Sequence, residues 1–308
     1  MVSQEEPHIA ILVLDTPVPG VASKHGDFGD NTISLLTNSF NQIYPFHKYQ
    51  LKPAENEDPK VLENTYAQLL SNISNHLIRG FVLTGSTSDA FESYPWLLQF
   101  KKFLKNTILK LAWPVVGLCF GHQVIANVLG CKVDRNSNGW EVGTTTIELN
   151  DEIYKIKDSP FLELSRKKTV EVKNELGQEK GEIEETLLYQ HLNMVEFHRD
   201  VVYGGVPPGF INFGSTAKCS IQGMISVENN NSDGIKSCNV LTFQGHPEFT
   251  TAIALDLLAF KYQRKLLTEL EYEKAKYHTS TLNNQGDLIG KVICKFLLQA
   301  TVTNLNNN

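Results

Sequence analysis

The sequence predicts an α/β domain: a central, mainly parallel sheet flanked by helices, with some added antiparallel strands. Three observations carry this. Four short, continuous apolar runs each end in turn residues. Helix-period segments separate them, and strands alternating with helices build parallel sheets. A strand buried on both faces reads as an unbroken apolar run, whereas the half-exposed alternation of Thr144–Leu149 and of the stretch around Met224–Val227 reads as antiparallel.

In chain order, Ile9–Leu14 is the first apolar run and stops at Asp15-Thr-Pro17. Asn31–Phe40 and Val61–Ile78 carry helical patterning. The second run, Gly80–Thr84, ends at Gly85-Ser86 and is followed by a predicted helix over Trp96–Lys110. Trp113–Leu118 is the third run, ends at Cys119, and leads into a short helix over His122–Leu129. Asp151–Glu185 is charge-dense, with Lys167-Lys168, Glu184-Glu185 and a Gly177/Gly181 pair, and reads as a surface insert. Asn229–Ser237 reads as a polar loop. Val240–Phe243 is the fourth run, ends at Gln244-Gly245, and precedes one long helical pattern over Thr251–Lys276. The expected organisation is a single domain over 1–300, with the charged insert at about 151–185 and a polar tail at 301–308.

Composition narrows the function. The 308 residues carry 28 Lys+Arg against 34 Asp+Glu, a net charge of −6, so the basic excess of a nucleic-acid or anionic-membrane binder is missing. The five cysteines are odd in number and widely spaced, with no C-x-x-C pair, which points to a reduced, cytoplasmic chain rather than a disulfide framework or zinc site. The acidic start lacks a basic n-region, and no window reaches the apolar length of a membrane span.

Gly117-Leu-Cys-Phe-Gly-His-Gln123 is the sharpest motif. A Gly-x-nucleophile-x-Gly turn between strand and helix presents its nucleophile at the strand end, and the N–H groups opening the helix favour a thiolate. The competing reading is a core cysteine beside two turn glycines. Gln244-Gly-His-Pro-Glu248 is the second motif: His246 as base, with Glu248 to orient it. A loop histidine beside a solvated glutamate is the bland alternative. Placement favours chemistry, because Cys119, His246 and Gly85-Ser86 all follow strands at the edge that lines the ligand crevice of open α/β sheets. A glycine there lets backbone N–H groups approach an oxyanion. His122 and Cys119 lack further ligands at metal-site spacing, so no metal is expected.

With both motifs intact and in this order, the sequence resembles the class I (triad) glutamine amidotransferases, and within them the stand-alone γ-glutamyl peptidase-like branch. Gly80–Ser86 with Asp89-Ala-Phe91, Gly139-Trp-Glu-Val-Gly143, His198-Arg-Asp200, Gln222-Gly-Met224 and Lys291–Phe296 support that choice, over roughly His8 to Leu298. The resemblance implies a flavodoxin-like fold and hydrolysis of a γ-glutamyl bond through a thioester. It implies Cys119 as nucleophile, His246 as base and then acid, and Glu248 as orienting carboxylate. It assigns an oxyanion hole to the N–H groups of Gly85 and Phe120, in a turn that includes Ser86. Gln123, His198 and Asp200 would border the glutamyl group, and Trp140-Glu141 the pocket. Where many relatives have Gly-Gly-Pro, this chain has Thr84-Gly85-Ser86, which bears on regulation by a synthetase partner.

No cofactor is implied, since acyl transfer through a thioester needs none. The expected partner is a small γ-glutamyl substrate, either a peptide such as glutathione or its conjugates, or glutamine. With the glutaminase unit filling nearly all of the chain, a stand-alone hydrolase is expected. The alternatives are a glutaminase subunit passing ammonia to a separate synthetase and a catalytically silent interaction protein of the same fold. Oligomeric state is open at this level.

Overall fold

The computed structural model describes residues 6–15, 20–40, 44–55, 57–111, 113–173, 179–227 and 239–306. The chain opens with β1 (His8–Val13), α1 (Ala22–His25), α2 (Phe28–Ser39), β2 (Phe46–Gln50), α3 (Glu63–Ser74) and β3 (Ile78–Leu83). It continues through α4 (Pro95–Asn106), β4 (Val115–Leu118), α5 (Phe120–Val128), β5 (Lys132–Arg135) and β6 (Glu141–Leu149). Then come β7 (Ser165–Lys173), β8 (Glu179–Leu188), β9 (His191–His198), β10 (Asp200–Tyr203), β11 (Phe210–Asn212) and β12 (Gly214–Ser215). The last elements are β13 (Gly223–Ser226), β14 (Val240–Phe243), α6 (Thr251–Gln263), α7 (Glu269–Thr281) and α8 (Gly286–Asn306).

The central sheet has seven strands in the order β11-β13-β14-β4-β3-β1-β2. From β2 to β14 the neighbours are parallel, and β13 and β11 close one edge antiparallel. The four apolar runs are four of its five inner strands, β1, β3, β4 and β14. In β1, Ile9, Ile11 and Val13 pack with α2 and α8, while Ala10 and Leu12, with Leu14 just beyond the strand, pack with α3, α4 and α5. Both faces are covered, so polar residues have no face to occupy, and the sequence shows a run instead of an alternation.

Several elements differ from expectation. Thr144–Leu149 does not join the central sheet: it lies in β6, which pairs with β9 and β12 in a separate three-stranded sheet. Alternation reports one wet face, not which sheet supplies the neighbours. The long helix over Thr251–Lys276 is two helices, α6 and α7, broken where Lys265 takes a positive φ of 56°. A capping box between Thr268 and Glu271 starts the second. The 151–185 stretch divides: Ile153, Phe161 and Leu164 are fully buried, and beyond them β7 and β8 pair as a hairpin. α8 runs to Asn306, into the segment that composition marks as a polar tail. β2 goes unpredicted because Phe46-His-Lys-Tyr-Gln50 is a polar edge strand. The Asn229–Ser237 loop lies outside the described residues. Among the described residues, no helix is long and apolar enough to cross a membrane.

Candidate active site

Cys119 ends β4 and caps α5 with φ 49° and ψ −100°, a strained conformation for a residue with a side chain. Two close approaches hold it there. A Cβ on Gly117 would stand 2.7 Å from the Gly121 carbonyl carbon, and one on Gly121 would stand 2.5 Å from the Leu83 carbonyl oxygen. Only glycine fits either place, so β3, β4 and α5 can converge and leave the sulfur at the sheet edge. The Cys119 N–H donates to the Phe243 carbonyl at 2.8 Å, tying β4 to the end of β14.

His246 follows β14 by three residues. Its N–H donates to the Val195 carbonyl at 2.8 Å, and its ring lies flat on Phe249, with centroids 4.1 Å apart and planes at 4°. Nδ1 bonds Glu248 Oε1 at 2.8 Å, and the remaining ring nitrogen is left for Cys119. Burial opposes charge on this imidazole, but a negative Cys119 sulfur and the Glu248 carboxylate outweigh it and hold the ring's pKa well above 6.5. Gly85 ends the turn after β3: a Cβ there would come 2.9 Å from His246 Cε1. The Glu248 carboxylate thus holds the imidazole, and imidazole and sulfur line the same cavity, an arrangement able to move a proton between sulfur and substrate.

Cys119 and His246 line a cavity of about 160 Å³ together with Gln123, His198, Asp200 and Ser86. Gln123 Nε2 donates to the Asp200 carbonyl at 2.9 Å and to Gln244 Oε1 at 3.2 Å. Phe120 presents only its backbone: its ring is fully buried among α4 and α5 side chains. The Ser86 hydroxyl donates to Asp15 Oδ2 at 3.1 Å, and Asp15 also accepts from Thr87 and pairs with Lys52 at 2.6 Å. Ser86 therefore braces the turn. Asp15 was legible in principle, since it ends β1 on the same edge.

His198 is fixed rather than free. Its Nε2 donates to Glu141 Oε2 at 2.9 Å and lies 3.4 Å from Glu196 Oε2, while Nδ1 reaches the Asp200 carbonyl at 3.2 Å. Burial works against its charge, but the two carboxylates push its pKa up to about 10. Glu196, with no exposed surface, is pushed up to about 7 by desolvation. Asp200 pairs with Arg135 Nη1 at 2.9 Å, and Arg135 Nη2 holds Asp89 at 2.8 Å. Burial and then the neighbouring Asp89 raise Asp200 to about 7. Arg135, which joins Asp89 to Asp200, and Phe28, Phe249 and Lys261 escaped the sequence reading because none of them belongs to a motif.

Among the described residues, one trio places metal-ligand atoms within 4.8 Å of one another: Glu141, His198 and Cys219. Its polar atoms already have partners within the protein. Glu141 accepts from His198, Gln222 and Thr216, and the Cys219 thiol points to the Ile221 carbonyl at 3.3 Å. His122, on the elbow helix, faces the core: Nδ1 meets Thr242 Oγ1 at 2.8 Å, and burial lowers its pKa to about 3.

A parallel sheet with a cysteine elbow and a His-Pro-Glu segment at neighbouring strand ends defines a class of acyl-transfer folds. The sequence profile of the family Glutamine amidotransferase class-I matches residues 28–259, and the chain belongs to that family. A glutamine amidotransferase-like protein of Schizosaccharomyces pombe is 30% identical over 301 residues, spanning 95% of this chain and 99% of its own. Gamma-glutamyl peptidase 2 of Arabidopsis thaliana is 29% identical over 198 residues, 64% of each chain. In structure, the chain resembles a glutamine amidotransferase from Thermotoga maritima with a TM-score of 0.55 at 18% identity, covering 96% of this chain and 98% of that one. The fold is the flavodoxin-like one of class I glutamine amidotransferases.

Proposed function

We propose that this chain is a cysteine hydrolase that cleaves γ-glutamyl amide bonds, with Cys119, His246 and Glu248 as a catalytic triad. The placement of Cys119 and the Glu248-held His246 at neighbouring strand ends, on one cavity, carries the reading. Family membership and the similarity to Arabidopsis γ-glutamyl peptidases support it.

The Cys119 thiolate attacks the γ-carbonyl carbon, and the carbonyl oxygen becomes an oxyanion facing the N–H groups of Gly85 and Phe120. The C–N bond then breaks, the amine leaves with the proton of His246, and a γ-glutamyl thioester remains. Water gives its proton to His246 and attacks the thioester; the C–S bond breaks, glutamate leaves and the thiolate returns. Glu248 holds the ring by Nδ1 throughout. The reacting partner is a small molecule in the cytoplasm.

The test is an assay of the purified chain alone on γ-glutamyl dipeptides, glutathione and glutamine, with Cys119→Ala as control. Release of the amine product, lost on the order of 10³-fold or more in the variant, is expected if the triad acts as a unit. An electrophilic glutamine analogue should modify Cys119 stoichiometrically. Turnover of glutamine only after a second protein is added would replace this reading with an amidotransferase subunit, and turnover unaffected by Cys119→Ala would overturn the triad.

A further inference from the structure

The cavity lining falls into two unlike groups. One holds Asp89, Arg135 and Asp200 beside Gln123, a set with both signs of charge that suits an amino-acid head group. The other is a wall of Phe249 and the α6 side chains Ile253, Leu257 and Phe260, at helical spacing along one face. Phe249 lies flat on the His246 ring, so this wall continues from the group that would protonate the departing amine. A leaving group freed at His246 is therefore next to this apolar wall.

Of the cations that line the cavity, Arg135, Arg199 and Lys261, the last belongs to α6, the helix of that wall. Lys261 also faces the cavity, with Nζ over the Trp140 indole at 3.9 Å from its centroid. Among the described residues no carboxylate lies within ion-pair distance of it; the nearby acidic residue of α6, Asp256, pairs with Lys24 and His25 instead. Burial lowers its pKa to about 8, and a negative Cys119 sulfur works against that shift. An ammonium that has shed water and gained only an indole face is short of an anion. Among the described residues, the Cys119 sulfur is the negative group that acts on Lys261.

We propose that Lys261 receives a carboxylate carried by the leaving group, so that the preferred substrates are γ-glutamyl amino acids and short γ-glutamyl peptides rather than glutamine. This rests on the γ-glutamyl hydrolase reading above. Ammonia has no carboxylate, and glutamine would leave Lys261 unmatched. A γ-glutamyl amino acid carries its carboxylate one carbon from the scissile nitrogen, and its side chain would lie on the apolar α6 wall. Trp140 holds the ammonium at the rim, and Lys261 acts in specificity rather than in bond cleavage.

The experiment compares kcat/KM for γ-glutamyl-alanine with that for γ-glutamyl-alanine amide, which differs only in lacking the leaving-group charge. The unsubstituted protein should prefer the acid by about 10- to 100-fold, the range of one charge-assisted hydrogen bond. Lys261→Met and Lys261→Gln should bring that ratio close to one, and Lys261→Arg should keep most of it. Modification of Cys119 by the electrophilic glutamine analogue reports that each variant is folded. A ratio near one in the unsubstituted protein, or a ratio unchanged in the folded Met and Gln variants, overturns the assignment while leaving the hydrolase reading intact. Turnover of neither compound while glutamine is turned over overturns the assignment, and no turnover of these two, glutathione or glutamine overturns both.

Discussion

At Glu248 the stakes of one residue can be weighed. Its carboxylate is nearly inaccessible to solvent and contributes to the raised proton affinity of His246 through a 2.8 Å bond to Nδ1. Glu248→Gln keeps the shape and removes the charge. The amide could also offer an N–H where the ring nitrogen needs an acceptor, which would favour the wrong tautomer. The expected result is a loss in kcat of roughly 10²- to 10⁴-fold with KM changed far less, as for an orienting group that acts through its neighbour. The His246 ring should also give up its proton at a lower pH than in the unsubstituted protein, which imidazole NMR would report. Equal ring titration in both proteins would remove Glu248 from its role.

Elements set how far such residues can be trusted to meet. Sequence runs located β1, β3, β4 and β14 because these strands are buried on both faces, and the turns after β3, β4 and β14 supply Gly85, Cys119 and His246. That geometry was legible because a motif at a strand end inherits its position from the sheet. Lys261 was not: its meaning comes from packing of α6 against Trp140, far away in the chain. The break between α6 and α7 was written in the sequence as Thr268-x-x-Glu271 but hidden within a continuous polar and apolar pattern. Here Thr268 Oγ1 accepts from the Glu271 N–H at 3.3 Å, and the Glu271 carboxylate accepts from the Thr268 N–H at 2.8 Å. Thr268→Ala removes half of this cap and should lower unfolding stability by about 0.5–2 kcal/mol. Chemical denaturation would read it, and Thr268→Ser should restore most of the loss.

Across the whole molecule, the site depends on two sheets meeting. The central sheet delivers the sulfur and the imidazole, and the small sheet of β6, β9 and β12 supports the segment that carries His246. A Cβ on Gly245 would stand 2.3 Å from Glu196 Oε1, and the His246 N–H bonds the carbonyl of Val195 on β9. That seam holds Glu141, Glu196 and His198 with almost no water access. Glu196 is raised from 4.5 to about 7 and His198 from 6.5 to about 10, so the folded state binds both protons more tightly than the unfolded chain. Stability from Glu196 is then complete below pH 4.5 and lost as pH rises through 7; that from His198 is complete below pH 6.5 and lost as pH rises through 10. Glu196→Gln imitates the protonated carboxyl at every pH. Its denaturation midpoint should therefore lack the decline that Glu196 causes between pH 4.5 and 7, while the His198 decline at higher pH, now resting on Glu141, becomes smaller. Midpoints measured across this range for both proteins decide it. Parallel curves between pH 4.5 and 7 would mean that Glu196 is ionised in the folded chain throughout, and that the seam between the sheets carries its charge without penalty.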